Sequence, residues 1–240
     1  MSMSTSIHTA WVTGSSSGIG LAVAHTLLAQ GWAVWGVDRE AATLQHPQYQ
    51  HHSLDLTDTA ALARWLEQSV GPEGARAPDA WVHAAGQGRY ARLGHLDAQD
   101  GEMMWRLHVL AAERIANTVL PAMQRRGSGR VVLLASRVWA GKAGRSQYAA
   151  SKAALVSMAR SWAAECVRDG VCVNSVSPAA TDTPMLSGGL RQGEQPEPPP
   201  IGRFIQPEEV AATVAFLLSP AARPITGQDW VICGGSSLGV

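Results

Sequence analysis

The sequence predicts an α/β protein of one domain, residues 1–240, built as a doubly wound parallel sheet of about seven strands flanked by helices. Three observations carry that prediction. Short apolar runs alternate with longer segments of helical periodicity along the chain. The runs are nearly continuous in apolar residues, as strands buried on both faces of a parallel sheet require. A glycine-rich turn, "VTGSSSGIG", joins the first run to the first helical segment.

The runs, in order, are "TAWVTG" (9–14), "WAVWGVD" (32–38), "HHSLDL" (51–56), "AWVHAAG" (80–86), "RVVLLAS" (130–136), "VCVNSVSP" (171–178) and "DWVICGG" (229–235). Helical patterns at 18–30, 57–69, 99–126, 147–168 and 207–219 separate most of them. These supply the right-handed crossovers that parallel neighbours need. Two segments break the alternation. Residues 39–50 contain Pro47 and leave room for only a turn or two of helix. Residues 184–205, which include "GGLRQGEQPEPPP", follow a strand end on the ligand-binding edge and are expected to form a substrate lid. The alternative is a connector without a role.

Composition narrows the function classes. The 240 residues are 46% hydrophobic and 16% charged, a globular balance. With 19 basic and 19 acidic side chains, no basic excess argues for nucleic acid or an anionic membrane. No apolar stretch is long enough to span a bilayer. Cys166, Cys172 and Cys233 show no CxxC spacing, so neither a disulfide framework nor a metal site is expected. The start lacks a signal-peptide pattern, and a cytoplasmic location is the expectation.

In "VTGSSSGIG", Gly14, Gly18 and Gly20 allow a tight turn and close approach of backbone to a pyrophosphate. Ser16, Ser17 and Ile19 stand between them, and the helix that follows offers N–H groups and a positive dipole end. Asp38 ends the second strand, where a carboxylate can accept from both ribose hydroxyls and repel a 2′-phosphate. The serine triplet supplies no cation for such a phosphate. NAD is therefore expected over NADP. Arg39 dissents; it could stack on adenine with either cofactor. The alternative for Asp38 is a cap on the short segment after it.

Tyr148 precedes Lys152 by four residues, so both lie on one helix face. A phenol titrates near pH 10, and a neighbouring ammonium lowers that value toward working pH. Tyr148 can then act as general acid and base. Ser136 ends the fifth strand, on the carboxyl edge where ligands of open α/β sheets bind, and can steady the reacting oxygen.

These motifs together resemble the short-chain dehydrogenase/reductase family, which has a Rossmann-type fold. The likeness rests on "TGSSSGIG", "DLTD" (55–58), "HAAG" (83–86), Ser136, "YAASK" (148–152) and "VSPAATDTPM" (176–185), in family order over nearly the whole chain. Within the family, the ending "ITGQDWVICGGSSLGV" and the "HAAG" form look most like 2,3-dihydro-2,3-dihydroxybenzoate dehydrogenases. The resemblance implies Tyr148 as acid/base, Lys152 as its partner and Ser136 as holder of the substrate oxygen. It implies that Asp55 and Leu56 contact adenine, and that Ala84, Ala85 and Gly86 line the adenosine ribose. It implies Pro178, Thr181 and Thr183 around the nicotinamide amide, and a homotetramer or homodimer. The family usually carries Asn where this chain has His108. His108 either maintains a proton relay from Lys152 or is a polar helix residue beside a relay through backbone carbonyls.

Arg89, Arg92, Arg137, Trp139, Lys142 and Arg145 flank the expected pocket, with Met185 on the lid side. Arginines pair bidentately with carboxylates or phosphates, so an anionic, cyclic substrate is expected. Solvated arginines are the alternative. The leading expectation is an NAD-dependent oxidoreductase acting on a secondary alcohol or ketone of a small anionic molecule. A 3-oxoacyl-type reductase is the second reading, and a non-catalytic dinucleotide-binding protein the third.

Overall fold

The computed structural model of the chain describes residues 8–71, 77–188 and 195–238. Seven strands form one sheet: β1 (Thr9–Thr13), β2 (Ala33–Asp38), β3 (Tyr49–Ser53), β4 (Ala80–His83), β5 (Gly129–Leu134), β6 (Val171–Pro178) and β7 (Asp229–Ile232). Every pairing is parallel, in the order β3-β2-β1-β4-β5-β6-β7. The strand order reverses between β1 and β4, which opens a crevice at their carboxyl ends.

Side chains alternate across each strand and build one core on each face. Trp11 and Trp81 pack with Leu62, Ile115 and Leu155 on one side. Ala10, Val12 and Val82 pack with Leu27, Val214 and Leu217 on the other. The helices that cover these faces are α1 (Gly18–Ala29), α2 (Thr59–Val70), α3 (Ala98–Trp105), α4 (Ala111–Arg126), α5 (Ser146–Cys166), α6 (Pro184–Ser187) and α7 (Pro207–Leu218). Local chemistry sets their ends. Asp58 accepts from the N–H groups of Ala60 and Ala61 to start α2, and Asp97 caps α3 in the same way. Gly127, at φ +74°, stops α4. No described helix is long and apolar enough to cross a membrane.

Two expectations change. The helix expected over 99–126 is three pieces, because a π-helical turn, Arg106–Leu110, lies between α3 and α4. Residues 39–48 carry no helix; side-chain bonds from Asp38 and Thr43 hold that segment to the glycine loop instead. Of the expected lid, residues 189–194 lie outside the described residues.

Candidate active site

The glycine turn is shaped by contact rather than by flexibility. Gly14 has φ +71°, and a Cβ there would sit 2.8 Å from the Ala85 backbone. A Cβ on Gly20 would overlap the Gly14 carbonyl oxygen. Ser17 stands at the α1 N-cap without a side-chain capping bond, so the first-turn N–H groups face outward. They open on a cleft of about 530 Å³ lined by Gly14, Ser17, Gly18, Ile19 and Gly20. Asp38, Arg39, Asp55 and Leu56 form one wall, and Ala84, Ala85 and Gly86 form another. A glycine floor, a helix start without a side-chain cap and a carboxylate on the wall together fit a dinucleotide.

Asp38 also works structurally. One carboxylate oxygen accepts from the Ser16 N–H and the other from the Glu40 N–H, both at 3.0 Å. A carboxylate has about four lone-pair sites, so ribose hydroxyls can still be accepted. The helix cap considered for Asp38 is replaced by this tie to the loop. Ser16 departs from the expected cofactor contact. It is buried, its hydroxyl donates to the Glu40 carbonyl, and its carbonyl accepts from Thr43. It anchors the loop from behind. Asp55 holds the turn after β3 through the N–H and hydroxyl of Thr57.

A second cavity, of about 880 Å³, holds Ser136, Tyr148 and Lys152, together with Pro178, Thr181, Thr183 and Met185. Ile19, Ala84, Gly86, Thr183 and Met185 border both spaces, so the two join there. Ser136 is the residue before the short turn Arg137–Ala140. Tyr148 is 8% exposed, and the Lys152 Nζ lies 5.8 Å from its ring centre. That Nζ donates to the Leu134 carbonyl at 2.8 Å. Burial lowers the Lys152 pKa to about 7.

His108 is fully buried at the π-helical turn. Its Nε2 accepts from the Gln87 N–H at 3.0 Å. Its Nδ1 lies 2.8 Å from the Ser151 hydroxyl, which itself donates to the Tyr148 carbonyl. Nδ1 is therefore the donor, and the ring is a neutral Nδ1–H tautomer. Burial, with the Lys152 charge adding to it, holds its pKa well below 6.5. Neither nitrogen is left to pass a proton. Of the two roles left open for His108, these bonds fit a link between α5 and the loop after β4 better than a relay. His83 makes a second such link that sequence reasoning missed. Its Nδ1 lies 3.0 Å from the Thr13 hydroxyl, which accepts from the N–H groups of Ala84 and Ala85. Burial lowers its pKa to about 3.

The expected substrate residues divide. Arg137, Lys142, Arg145 and Met185 line the larger cavity. Arg89 borders the cofactor cleft instead, where its Nε lies 3.4 Å from Asp100. Trp139 lines neither space, because its indole N–H donates to Asp229 at 2.9 Å and turns the ring toward β7. Tyr90 was missed. Its ring meets that of Tyr148 edge to face, with centres 5.4 Å apart. No motif or spacing marked it; only the loop after β4 brings it there. Gln195, Glu197 and the prolines at 196 and 198–200 close the same cavity.

Comparison with known proteins agrees with this geometry. The family model described as Enoyl-(Acyl carrier protein) reductase matches residues 14–237. The chain is 34% identical to 2,3-dihydro-2,3-dihydroxybenzoate dehydrogenase of Escherichia coli, over 95% of this chain and 96% of that protein. It is 33% identical to a 3-oxoacyl-(acyl-carrier-protein) reductase of Salmonella typhimurium, over 94% and 96%. A solved structure titled as a short chain dehydrogenase/reductase family protein superposes with a TM-score of 0.86 at 33% identity, covering 96% of this chain and 97% of that one.

Proposed function

Because the chain belongs to the short-chain dehydrogenase/reductase family of oxidoreductases acting on CH–OH groups, we propose that it moves a hydride between NAD and a secondary alcohol or ketone on a small anionic substrate. A cyclic diol carboxylate is the specific class. One observation carries the reading: Ser136, Tyr148 and Lys152 share an 880 Å³ cavity with three cationic side chains, and that cavity opens into the glycine-loop cleft.

The residues divide the work. When bound, the oxidised nicotinamide supplies the hydride acceptor. Ser136 holds the substrate oxygen. Tyr148 takes the hydroxyl proton as the C–H bond breaks, leaving a carbonyl, and returns it in the reverse direction. The Lys152 ammonium stabilises the phenolate, and His108 fixes α5 so that both side chains stay in place. Asp38 on the cleft wall and the engagement of Arg39 by Glu40, at 3.1 Å, support NAD over NADP. Residues 195–200 on the cavity rim support a lid over 184–205. Exposed Trp105 on α3, with Phe216 and Val231 near the β7 edge, offers apolar surface for a homotetramer or homodimer. The three free thiols suit a reducing, cytoplasmic setting.

A panel of secondary alcohols, cyclic diols and their carboxylates, assayed with NAD and NADP by nicotinamide absorbance, tests the proposal. Turnover of an anionic cyclic alcohol with NAD preferred is the expected result. NADP preference with 3-oxoacyl thioesters would favour the second reading, to which the Salmonella relative lends support.

A further inference from the structure

Trp139 stands outside the larger cavity, and the bond that draws it away acts on the turn that begins at Ser136. Ser136 lies between two tie points. Just before it, the Ala135 N–H donates to the Val176 carbonyl at 2.8 Å, which continues the β5–β6 ladder. Just after it, the turn Arg137–Ala140 is closed by the Trp139 N–H, which donates to the Ser136 carbonyl at 2.9 Å. A serine in front of such a turn commonly caps it with its hydroxyl. Ser136 makes no capping bond, so its hydroxyl is not committed to the turn. The turn is held from outside instead. The Trp139 indole N–H donates to Asp229 Oδ2 at 2.9 Å, and Arg137 Nη1 donates to the Ser236 carbonyl at 3.3 Å. Asp229 opens β7 and Ser236 follows that strand, so both side chains pin the turn to it.

Asp229 is itself a fixed acceptor. Its Oδ1 accepts from the hydroxyls of Ser175 and Ser177 at 2.8 and 2.7 Å. Both serines are buried on β6, which pairs with β7 in parallel register. Two hydroxyl bonds thus hold the carboxylate in place and leave Oδ2 for the indole. Hydrogen bonds to a carboxylate are roughly twice as strong as neutral ones. We infer that Trp139 and Asp229 are positioning residues: their bond fixes the turn after β5 and so sets where the Ser136 hydroxyl stands against Tyr148 and the substrate oxygen. The inference rests on the role given to Ser136 under the proposed function. Neither Trp139 nor Asp229 lines the cavity, so an effect of either on turnover must pass through a group that does. The tolerance is narrow, because a displacement of about 1 Å at a reacting group can cost about 100-fold in rate.

The test uses the full chain with NAD and NADP and two probes, 2-hydroxycyclohexanecarboxylate and cyclohexane-1,2-diol. Trp139→Phe keeps an aromatic ring and removes the N–H donor. It is expected to lower kcat by about 10- to 100-fold with KM nearly unchanged, less than the about 10²- to 10³-fold cost of deleting a donor to the reacting oxygen outright. Asp229→Ala should match it. Asp229→Asn, which still offers an oxygen to the indole, should recover most of the parent kcat. In a Ser136→Ala background, Trp139→Phe should cost nothing further, because the group it positions is gone. A cooperative urea transition reports that each variant is folded. A crystal structure of Trp139→Phe should show the Ser136 hydroxyl displaced while Tyr148 and Lys152 keep their places. The inference is overturned by an unchanged kcat in Trp139→Phe, by a loss that persists at full size in the Ser136→Ala background, or by a Ser136 that has not moved in the variant's crystal structure. If the parent turns over neither probe with either nicotinamide, the proposed reaction on this substrate class falls, and the place of Ser136 in that crystal structure still decides whether Trp139 positions it.

Discussion

His108 shows how much one residue's environment decides. An imidazole titrates near neutrality in water, which suits a proton relay. Here both ring nitrogens are bound, one to Gln87 and one to Ser151, and burial beside Lys152 keeps the ring neutral. Its hydrogen bonds hold the helix that carries Tyr148. A clamp need not titrate, and Asn can also donate and accept. His108→Asn should therefore give a pH–activity profile superimposable on the parent's, with kcat lowered less than about tenfold. A profile that loses a limb in the variant would restore the relay. The scale for comparison is removal of a true acid/base, which costs about 10²- to 10⁴-fold.

At the level of elements, the site depends on two irregular turns. The π-helical turn Arg106–Leu110 adds a residue between α3 and α4 and buries His108 within reach of Ser151. The glycine turn after β1 does the same for the cofactor cleft. Gly14 combines a left-handed φ with a backbone neighbour that cannot yield. Gly14→Ala should cost about 1–3 kcal/mol in stability from the strained conformation alone. It should also weaken binding of the nicotinamide dinucleotide, because the Ala85 backbone forms the next wall of the cleft. Urea titration and nicotinamide fluorescence measure the two effects. Unaltered values in both would show that the turn tolerates a side chain.

For the whole molecule, the buried histidines couple stability to acid. The His83 pKa is about 3 in the folded protein and near 6.5 in the unfolded chain. Between those values the unfolded state binds the extra proton. The contribution is fully present above pH 6.5 and is lost as pH falls toward 3. His83→Asn, which can still bond Thr13, should flatten the fall of the urea midpoint across that window. An unchanged acid slope would place the sensitivity elsewhere. The seven strands and the helix faces were legible from sequence, as was the meeting of Ser136, Tyr148 and Lys152 in one cavity, because apolar period, glycine turns and i, i+4 spacing are local properties that the chain carries in its order. The paired role of Asp38 was half legible: its place at a strand end was local, but its bond to Ser16 spans 22 residues. Trp139 and Arg89 were assigned to the substrate pocket from proximity along the chain. Their partners, Asp229 and Asp100, draw them to other surfaces. Tyr90 and the tautomer of His108 had no local signal at all. Both are decided where loops from separate strands meet at one sheet edge, and the packing there sets which atoms face each other and which charges water can reach.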